Sequence, residues 1–509
     1  MRKERFEIKM EYLYESTRDR KMIHTASEAV LKGLAEDGGL FVMRNLEHIS
    51  LDVKALMKQD YLGMAQQVLG KLLPDISSED MERCVRAAYE GRFESREVTP
   101  LVKVGRDWVL ELFHGPTCAF KDVALQILPR LMTVSKEMNG DLSETVILTA
   151  TSGDTGKAAL EGFRDVAGTK IIVFYPESGV SAVQKAQMVT QQGSNVYVCG
   201  IKGDFDDAQT GVKRIFSDKS IEEALQKQNQ RFSSANSINI GRLAPQVVYY
   251  FYAYKRLMEK CVISYGDRIN FVVPTGNFGD IFAGKIAKML GLPINKLICA
   301  SNSNNVLFDF ITTGCYDRKR LLEKTISPSM DILVSSNLER LLYYASGKDN
   351  ELISRLMKSL AEEGRYTVPA FMLEAIQRDF CAGYADDAMT KVAIERCWDE
   401  CGYLLDTHTG VAMSVLRDYQ MATADDTPTV VLSTASPYKF STSVFEAIYG
   451  ENAAKKYGDE YRIMNALQEK TGIAIPKPLA DLQSRPVIHN AVCEKEKMSD
   501  FVLHCTAEK

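Results

Sequence analysis

The chain has 509 residues, enough for several domains, and its 45% hydrophobic and 25% charged residues are typical of a globular protein. Its 62 basic and 67 acidic side chains give a formal net charge of -5, which argues against nucleic acid or an anionic membrane as the main partner. No apolar run approaches the ~20 residues that a membrane-spanning helix requires.

The chain begins with MRKERFEIKM, which lacks the apolar core of a signal peptide and contains acidic residues that transit peptides avoid. We therefore interpret the residues before Met10 as a short extension. The eleven cysteines are scattered without a CxxC pair, which favours reduced thiols in a cytoplasmic protein. Mostly helical patterns over residues 1–95 predict a separate N-terminal unit.

Short apolar runs alternate with helical patterns through the middle of the chain. Five runs rich in β-branched residues predict buried strands, at 144–150, 169–176, 194–200, 269–275 and 429–434. This alternation predicts an α/β fold with mainly parallel sheets, in which ligands bind beyond the carboxyl ends of the strands. Residues 340–425 are helix-rich and charged, and we expect them to pack on the outside.

Lys121 stands between Phe120 and Asp122, after a Gly-Pro-Thr turn and before a helical run, in FHGPTCAFKDVALQ. An apolar pocket lowers the pKa of a lysine, because desolvation disfavours the ammonium form, and a neutral amine can form a Schiff base. Taken alone, the local sequence favours the alternative, a solvent-facing lysine on a helix.

Two strand-to-helix turns are suited to anions. The first, TSGDTGK, offers free backbone N–H groups at a helix start, although plain helix capping would also explain it. It is not a nucleotide P-loop, because Thr151 replaces the first glycine and Ala158 replaces the hydroxyl that binds magnesium. The second turn, GNFG at 276–279, follows a buried strand, and its glycines let the backbone approach a phosphate closely.

An unusual lysine and two anion-prone turns at strand ends together indicate a phosphorylated cofactor whose aldehyde reacts with the lysine. This description fits pyridoxal phosphate.

Cys397, Cys401 and His408 could instead suggest a metal cluster. We interpret the two cysteines as core residues, because they share a broad helical face with Met389 and Val392, and buried cysteine behaves as a small hydrophobe. The second cysteine pair that structural zinc prefers is also missing. We therefore expect no metal site.

Several motifs in order resemble those of threonine synthases, in particular their long microbial and fungal-type branch. They are FHGPTCAFKD, TSGDTGKAAL, NSINIGRLAPQVVYYFYAY, PTGNFGDIFAG, TISPSMDILVSSNLERLL and STASPYKF, with a similar leader, YESTRD…EAVLKGLAEDGGLFV. The resemblance covers nearly the whole chain. It implies a fold-type II pyridoxal-phosphate enzyme, similar to the tryptophan synthase β subunit. An N-terminal cap (1–95) would precede a catalytic region (96–509) of two α/β subdomains, with a helix-rich insertion around 300–425.

The resemblance also implies a reaction. Threonine synthases convert O-phospho-L-homoserine and water to L-threonine and phosphate by γ-elimination and β-hydration, the last step of threonine biosynthesis. We also expect a cytoplasmic protein that is a monomer or a homodimer. Two alternatives are a related phospho-lyase that releases a 2-oxo acid and a non-catalytic relative that acts as a binding protein; an intact lysine and glycine loop argue against the latter.

Residue roles follow from the matching motifs. Lys121 is implied as the Schiff-base lysine and main proton shuttle. The other implied cofactor ligands are Gly276, Asn277, Phe278 and Gly279 at the phosphate, Asp154 near the ring oxygen and Thr434 at the pyridine nitrogen. The implied substrate ligands are Ser152, Thr155, Asn236, Ser237 and Arg242. A guanidinium suits the substrate's phosphate because it can meet two oxygens at once, although a structural carboxylate is the alternative partner of Arg242.

The chain departs from the family pattern at a few positions. Asp19 replaces the glycine of STRG, and Ser436 and Tyr438 stand at the histidine and an alanine of TAHPAKF. The last two changes follow Thr434 closely, so we expect them to affect cofactor tuning or substrate fit. Cys118, where the family often has leucine, is interpreted as a packing residue.

Overall fold

The computed structural model describes residues 13–178 and 180–507, so the extension expected before Met10 lies outside the described residues. The strands are β1 (Tyr14–Ser16), β2 (Ile23–His24), β3 (Phe41–Met43), β4 (Leu101–Val104), β5 (Asp107–Glu111), β6 (Glu144–Ala150), β7 (Thr169–Pro176), β8 (Val196–Lys202), β9 (Gln230–Ser233), β10 (Ile269–Pro274), β11 (Ile294–Ser301), β12 (Cys315–Asp317), β13 (Arg365–Thr367), β14 (Phe380–Tyr384), β15 (Thr429–Ser433) and β16 (Ala491–Glu494).

The helices connect and cover these strands. They are α1 (Ala26–Lys32), α2 (Val53–Leu56), α3 (Tyr61–Leu72), α4 (Ser78–Tyr89), α5 (Lys121–Leu125), α6 (Leu128–Asn139), α7 (Asp154–Phe163), α8 (Ala182–Val189), α9 (Phe205–Ser217), α10 (Lys219–Lys227), α11 (Ile240–Glu259), α12 (Gly279–Met289), α13 (Val306–Thr313), α14 (Leu338–Ala345), α15 (Asn350–Glu363), α16 (Ala370–Asp379), α17 (Asp387–Cys401), α18 (Thr407–Thr423), α19 (Ser441–Tyr449), α20 (Glu451–Ala454), α21 (Glu460–Thr471), α22 (Lys477–Ala480) and α23 (Met498–Thr506).

Two mainly parallel sheets organise the molecule. One has the strand order β16-β8-β7-β6-β9 and is parallel throughout. The other has the order β14-β11-β10-β15-β5-β4 and is parallel except for the antiparallel pair of β4 and β5. The expected α/β fold with mainly parallel sheets is confirmed.

The predicted strands β6 and β7 begin and end where the apolar runs do, because both strands are central and buried. The strand predicted at 194–200 is β8, which starts two residues later than expected, at Val196. Its expected first residues bind a neighbouring loop instead of pairing: Ser194 binds the Asp165 carboxylate, and the Asn195 amide donates to the carbonyl oxygen of Phe163 at 2.9 Å.

The N-terminal segment contains a small sheet as well as the predicted helices. Strands β1–β3 form an antiparallel sheet in the order β2-β1-β3, which we call the N-terminal sheet. Sequence reasoning missed it because strands of two or three residues are too short to show an alternating pattern.

Residues 340–425 are helix-rich as predicted, but they do not lie wholly outside. Strand β14 pairs in parallel with β11 and completes an edge of the six-stranded sheet. The first turn of α18, from Thr407 to Thr409, is fully buried because it packs beneath that sheet. This segment therefore contributes to the buried core beneath the six-stranded sheet.

The predicted buried face of α17 is confirmed at Cys397 but wrong at Met389, Val392 and Cys401. Thr390, Ile394 and Cys397 are buried, whereas Met389 and Val392 are exposed, as is Cys401. The helix packs on α18 and α19 through a narrower face than the sequence suggested. Within the described ranges, no group of three or more His, Cys, Asp or Glu side chains is arranged so that it could hold a metal ion. All eleven cysteines are free thiols.

None of the described helices combines the length and apolar character needed to cross a bilayer.

Candidate active site

The site lies where strands of both sheets reach their carboxyl ends. Strand β6 leads to Asp154 and β9 leads to Arg242 in the five-stranded sheet, while β10 leads to the glycine loop in the six-stranded sheet. Strand β5 leads towards Lys121, the first residue of α5. Residues distant in sequence thus meet between the two sheets, as expected for α/β folds.

Lys121 is buried, with 7% of its surface exposed. Its Nζ donates to Ser329 Oγ at 3.2 Å, lies 3.7 Å from Asp154 Oδ2 and sits 5.3 Å from the centre of the Phe120 ring. Burial lowers the pKa of Lys121 to about 8, although the Asp154 carboxylate opposes this shift. The alternative of a solvent-facing helix lysine is therefore wrong, and part of the amine is neutral near neutral pH.

Asp154 begins α7 and is held by a second lysine that sequence reasoning missed. Lys439 is fully buried, and its Nζ lies 2.7 Å from Asp154 Oδ1 and donates to the Thr117 carbonyl oxygen at 3.0 Å. Burial would raise the pKa of Asp154, but the charges of Lys439 and Lys121 hold it well below its usual range. Lys439 lies within STASPYKF, the one signal that could have identified it.

Ser329, the partner of Lys121, is fixed by a buried histidine. His408 Nδ1 lies 2.9 Å from Asp406 Oδ1, and its Nε2 accepts a hydrogen bond from the Ser329 backbone N–H at 3.2 Å. This pattern requires the proton on Nδ1, because Nε2 must be free to accept. The sequence suggests His408 only as a possible metal ligand, and its local pattern does not distinguish Ser329 from other serines.

The glycine loop links β10 to α12. Phe278 adopts a positive φ of 62°, which turns the chain into the helix. A Cβ added at Gly276 would lie 2.7 Å from the Ser329 carbonyl oxygen, so this loop and the residue that binds Lys121 are in direct contact. Asn337 donates to the Asn277 carbonyl oxygen through its backbone N–H at 3.1 Å and its Nδ2 at 2.9 Å.

Arg242 is a buried cation without a carboxylate partner among the described residues. Its Nη1 donates to the Ala235 carbonyl oxygen at 2.8 Å, and no ion pair involves it in the part of the chain that the structure covers. Burial lowers the pKa of Arg242 to about 10, and its charge helps to depress the pKa of Lys121. The alternative of a structural carboxylate partner is therefore wrong.

The other expected ligands surround these groups. The Thr434 carbonyl oxygen accepts from the Phe120 N–H at 2.8 Å, next to Lys121. Ser152 and Thr155 are half-buried on either side of Asp154.

In the loop that follows β9, Asn236 is exposed and its Oδ1 accepts from the N–H of Ser237 at 2.6 Å. Ser237 is buried, and its Oγ accepts from Asn337 Nδ2 at 3.1 Å, close to the glycine loop.

The unusual residues beyond Thr434 shape the turn that carries Lys439. The Ser436 N–H donates to the Cys118 carbonyl oxygen at 3.0 Å, and the Tyr438 hydroxyl donates to the carbonyl oxygen of Ile473. Burial raises the pKa of the Cys118 thiol, which supports a packing role.

The arrangement fits pyridoxal phosphate. It offers a buried amine with a lowered pKa, a helix start beside a glycine loop, and a buried guanidinium whose charge no described carboxylate balances. Each group suits one part of a phosphorylated aldehyde or of an anionic substrate.

The chain matches three known families. Its residues 13–89 match "Threonine synthase N terminus", residues 94–435 match "Pyridoxal-phosphate dependent enzyme", and residues 409–502 match "Threonine synthase, C-terminal". The solved structure of a pyridoxal-phosphate-bound threonine synthase from Brucella melitensis matches 97% of this chain and 100% of its own, with a TM-score of 0.85 and 38% identity.

Fold and site together define a pyridoxal-phosphate-dependent enzyme of fold type II. A threonine synthase from Eremothecium gossypii is 36% identical across 94% of both chains. The chain therefore belongs to the threonine synthase family. The human protein threonine synthase-like 1 is 41% identical over 83% of this chain. That relative is longer, and the chain spans only 58% of it.

Proposed function

We propose that this protein is a threonine synthase, which converts O-phospho-L-homoserine and water to L-threonine and phosphate with pyridoxal phosphate as cofactor. The observation that carries the proposal is the pair of buried cations, Lys121 with its lowered pKa and Arg242 without a carboxylate among the described residues. The Lys121 amine suits a covalent bond to the cofactor, and the Arg242 guanidinium suits the phosphate of the substrate.

When bound, pyridoxal phosphate withdraws electrons from the substrate's amino-acid carbons and so acidifies their protons. Lys121 would hold the cofactor through its Nζ, and residues 276–279 would hold its phosphate at the start of α12. Asp154 would lie near the ring oxygen, and Thr434 would meet the ring nitrogen. A hydroxyl at that nitrogen, unlike a carboxylate, does not force it to remain protonated.

Lys121 is also suited to move protons. Its pKa of about 8 makes both forms of the amine accessible near neutral pH, so Nζ can accept a proton and return it. The Ser329 hydroxyl, 3.2 Å away, orients Nζ, and the backbone of Ser329 is in turn held by His408. Asp154 stabilises the charged form of the amine, since it remains ionised through its bond to Lys439.

Arg242, with Asn236 and Ser237, would bind the phosphate of the substrate, while Ser152 and Thr155 would bind its carboxylate. The burial of Arg242 strengthens an ionic hydrogen bond, because little water competes for it.

The division into an N-terminal cap (1–95) and a catalytic region (96–509) is part of this proposal, and so is a cytoplasmic location, which the free thiols support. We propose a monomer or homodimer that binds neither nucleic acid nor membrane.

The deciding experiment incubates the cofactor-loaded protein with O-phospho-L-homoserine and measures threonine, phosphate and 2-oxobutyrate. Equal yields of threonine and phosphate are expected. A mainly 2-oxo acid output would instead identify a phospho-lyase, and no turnover with intact cofactor binding would indicate a binding protein.

Lys121→Ala provides the matched variant for this assay. It should abolish threonine formation while the circular dichroism spectrum stays unchanged, because the role of the amine is chemical. Near-normal threonine output from this variant would refute the assignment of Lys121.

A further inference from the structure

The start of α14 touches both the glycine loop and the N-terminal sheet. On one side, Asn337 donates two hydrogen bonds to the Asn277 carbonyl oxygen and one to Ser237 Oγ. It therefore holds two of the loops expected to bind phosphate groups. On the other side, Glu339 and Arg340 contact the N-terminal sheet and its flanking loop. We call residues 337–340 the α14 clamp.

Glu339 anchors the residues that follow β1. Its Oε1 accepts from Thr17 Oγ1 at 2.6 Å and from Arg18 Nε at 2.8 Å, while its Oε2 pairs with Arg18 Nη2 at 2.8 Å. This two-point contact between a guanidinium and a carboxylate fixes direction as well as distance. The Glu339 side chain is only 6% exposed, so water competes little for it.

Arg340 joins three separate segments. Its side chain is fully buried, with Nε donating to the Phe41 carbonyl oxygen in β3 at 3.0 Å and Nη2 donating to the Ile238 carbonyl oxygen at 2.5 Å. Its Nη1 donates to Asn337 Oδ1, the other end of the amide that holds Asn277. A buried charged donor that loses its acceptor is costly, so these segments are constrained to move together.

We propose that the α14 clamp couples docking of the N-terminal sheet to the shape of the glycine loop, so that the sheet helps to set the affinity for pyridoxal phosphate. Glu339 and Arg340 are then positioning residues, because neither contacts the Lys121 amine. Arg340 acts through its bond to Asn337, and Glu339 acts through the first turn of α14, which Asn337 precedes as N-cap. This inference rests on the proposed function, because it requires the loop to bind the cofactor's phosphate.

Coupling between two sites is reciprocal. If the N-terminal sheet stabilises the binding form of the loop, the bound cofactor must stabilise docking of the sheet by the same factor. The clamp therefore predicts a signal far from the site: cofactor binding slows amide hydrogen exchange in β1 and β3.

The test compares the full-length protein with Glu339→Gln and Arg340→Lys. Glu339→Gln keeps the shape of the side chain but removes the ion pair with Arg18. Arg340→Lys keeps the buried charge, but one ammonium nitrogen cannot reach the three separate acceptors that the guanidinium binds through three different nitrogens. The cofactor-free proteins are titrated with pyridoxal phosphate, and hydrogen exchange is measured with and without it.

Lys348→Met is the matched control. Lys348 donates to the Arg44 carbonyl oxygen at 2.8 Å and pairs with Glu47, so it ties the turn after α14 to the segment after β3 without contacting Asn337. It should lower the melting temperature, but the N-terminal sheet should stay docked, because Glu339 and Arg340 keep their contacts with Thr17, Arg18 and β3. The cofactor dissociation constant should stay within about twofold, since the glycine loop keeps its contacts.

We expect Glu339→Gln to raise the cofactor dissociation constant about tenfold, and Arg340→Lys to raise it at least as much. The slowing of exchange in β1 and β3 should shrink in both variants and persist in Lys348→Met. Unchanged cofactor affinity in a folded Glu339→Gln protein, or an equal loss in Lys348→Met, would overturn the clamp.

If Arg340→Lys does not fold, Glu339→Gln decides alone, because the ion pair it removes is partly exposed on the Arg18 side. Failure of the unaltered protein to bind pyridoxal phosphate at all would refute the proposed function instead, so the two failures are distinguishable.

Discussion

At the scale of single residues, two cations, Lys121 and Arg242, are buried where the sheets meet. Both have pKa values lowered by burial, to about 8 for Lys121 and about 10 for Arg242. Burying such groups without a ligand costs stability, and active sites commonly carry this kind of cost. Removing either charge should therefore affect function and stability in opposite directions.

The first prediction concerns Lys121→Met in the cofactor-free protein. The folded-state pKa of Lys121 is about 8 and its ordinary value is 10.5, so between these pH values the unfolded chain binds more protons. The penalty for burying the amine is therefore complete below pH 8 and disappears as the pH rises to the ordinary value. At neutral pH, the free energy of unfolding of the variant should be higher by up to about 3 kcal/mol. Urea unfolding measures this difference.

The stability gain of Lys121→Met should decline between pH 8 and pH 10.5. Lys54→Met, which removes an exposed lysine, should change stability little at any of these pH values. A gain that is independent of pH would mean that packing, and not the charge, sets the cost.

The second prediction concerns Arg242→Met. Loss of an ionic hydrogen bond to the substrate should raise the KM for O-phospho-L-homoserine by about 10- to 100-fold. Stability should stay equal or increase, because no described carboxylate loses a partner. Steady-state kinetics and thermal unfolding measure the two effects.

Arg340→Met is the control for the second prediction. It removes an equally buried arginine, but one that binds three acceptors, so it should destabilise the fold. An unchanged KM in Arg242→Met together with lower stability would show that Arg242 is structural.

At the scale of elements, the site depends on how closely the glycine loop approaches the turn that contains Ser329. Gly276 has no room for a side chain, since an added Cβ would lie 2.7 Å from the Ser329 carbonyl oxygen. Backbone atoms of two elements are therefore in contact at the point where Ser329 binds Lys121.

The third prediction is that Gly276→Ala moves the loop away from Ser329. Such overpacking costs ~1–3 kcal/mol, and the affinity for pyridoxal phosphate should fall about tenfold in an absorbance titration. Gly70→Ala in α3 is the control, because nothing lies within 4 Å of its added Cβ and alanine favours a helix. Equal cofactor affinity in both variants would contradict the described contact.

At the scale of the whole molecule, the last part of the chain returns to complete the five-stranded sheet. Strand β16 pairs with β8, and α23 packs beside α9 and α10. Met498, at the start of α23, is fully buried over Gly211, where an added Cβ would lie 2.3 Å from the methionine Sδ. The C-terminal helix thus closes a core formed by much earlier residues.

The fourth prediction is that Met498→Ala costs about 2–5 kcal/mol of unfolding free energy, because it opens a cavity in that core. Leu503→Ala in the same helix is the control; this leucine is 37% exposed, so its loss should cost much less. Equal losses in denaturant unfolding would mean that the helix packs differently.

The sequence alone determined the α/β class, the central strands and the positions of the two anion-prone turns. Strands β6 and β7 were predictable because a strand buried on both faces is a continuous apolar run, which is a local signal. The burial of Lys121 was also predictable, but only from motifs considered together. The environment of a lysine depends on residues that the local sequence does not contain.

Only the tertiary structure decided which residues complete the site. Lys439, Ser329 and Asn337 act through partners more than 50 residues away, and no periodicity connects such pairs. The N-terminal sheet could not be predicted from the sequence for a related reason. Its short strands are stabilised by packing and pairing rather than by the propensity of their residues. Which face of α17 is buried depended on neighbouring helices. Local patterns specify elements, whereas burial and charge pairing arise only when the elements pack.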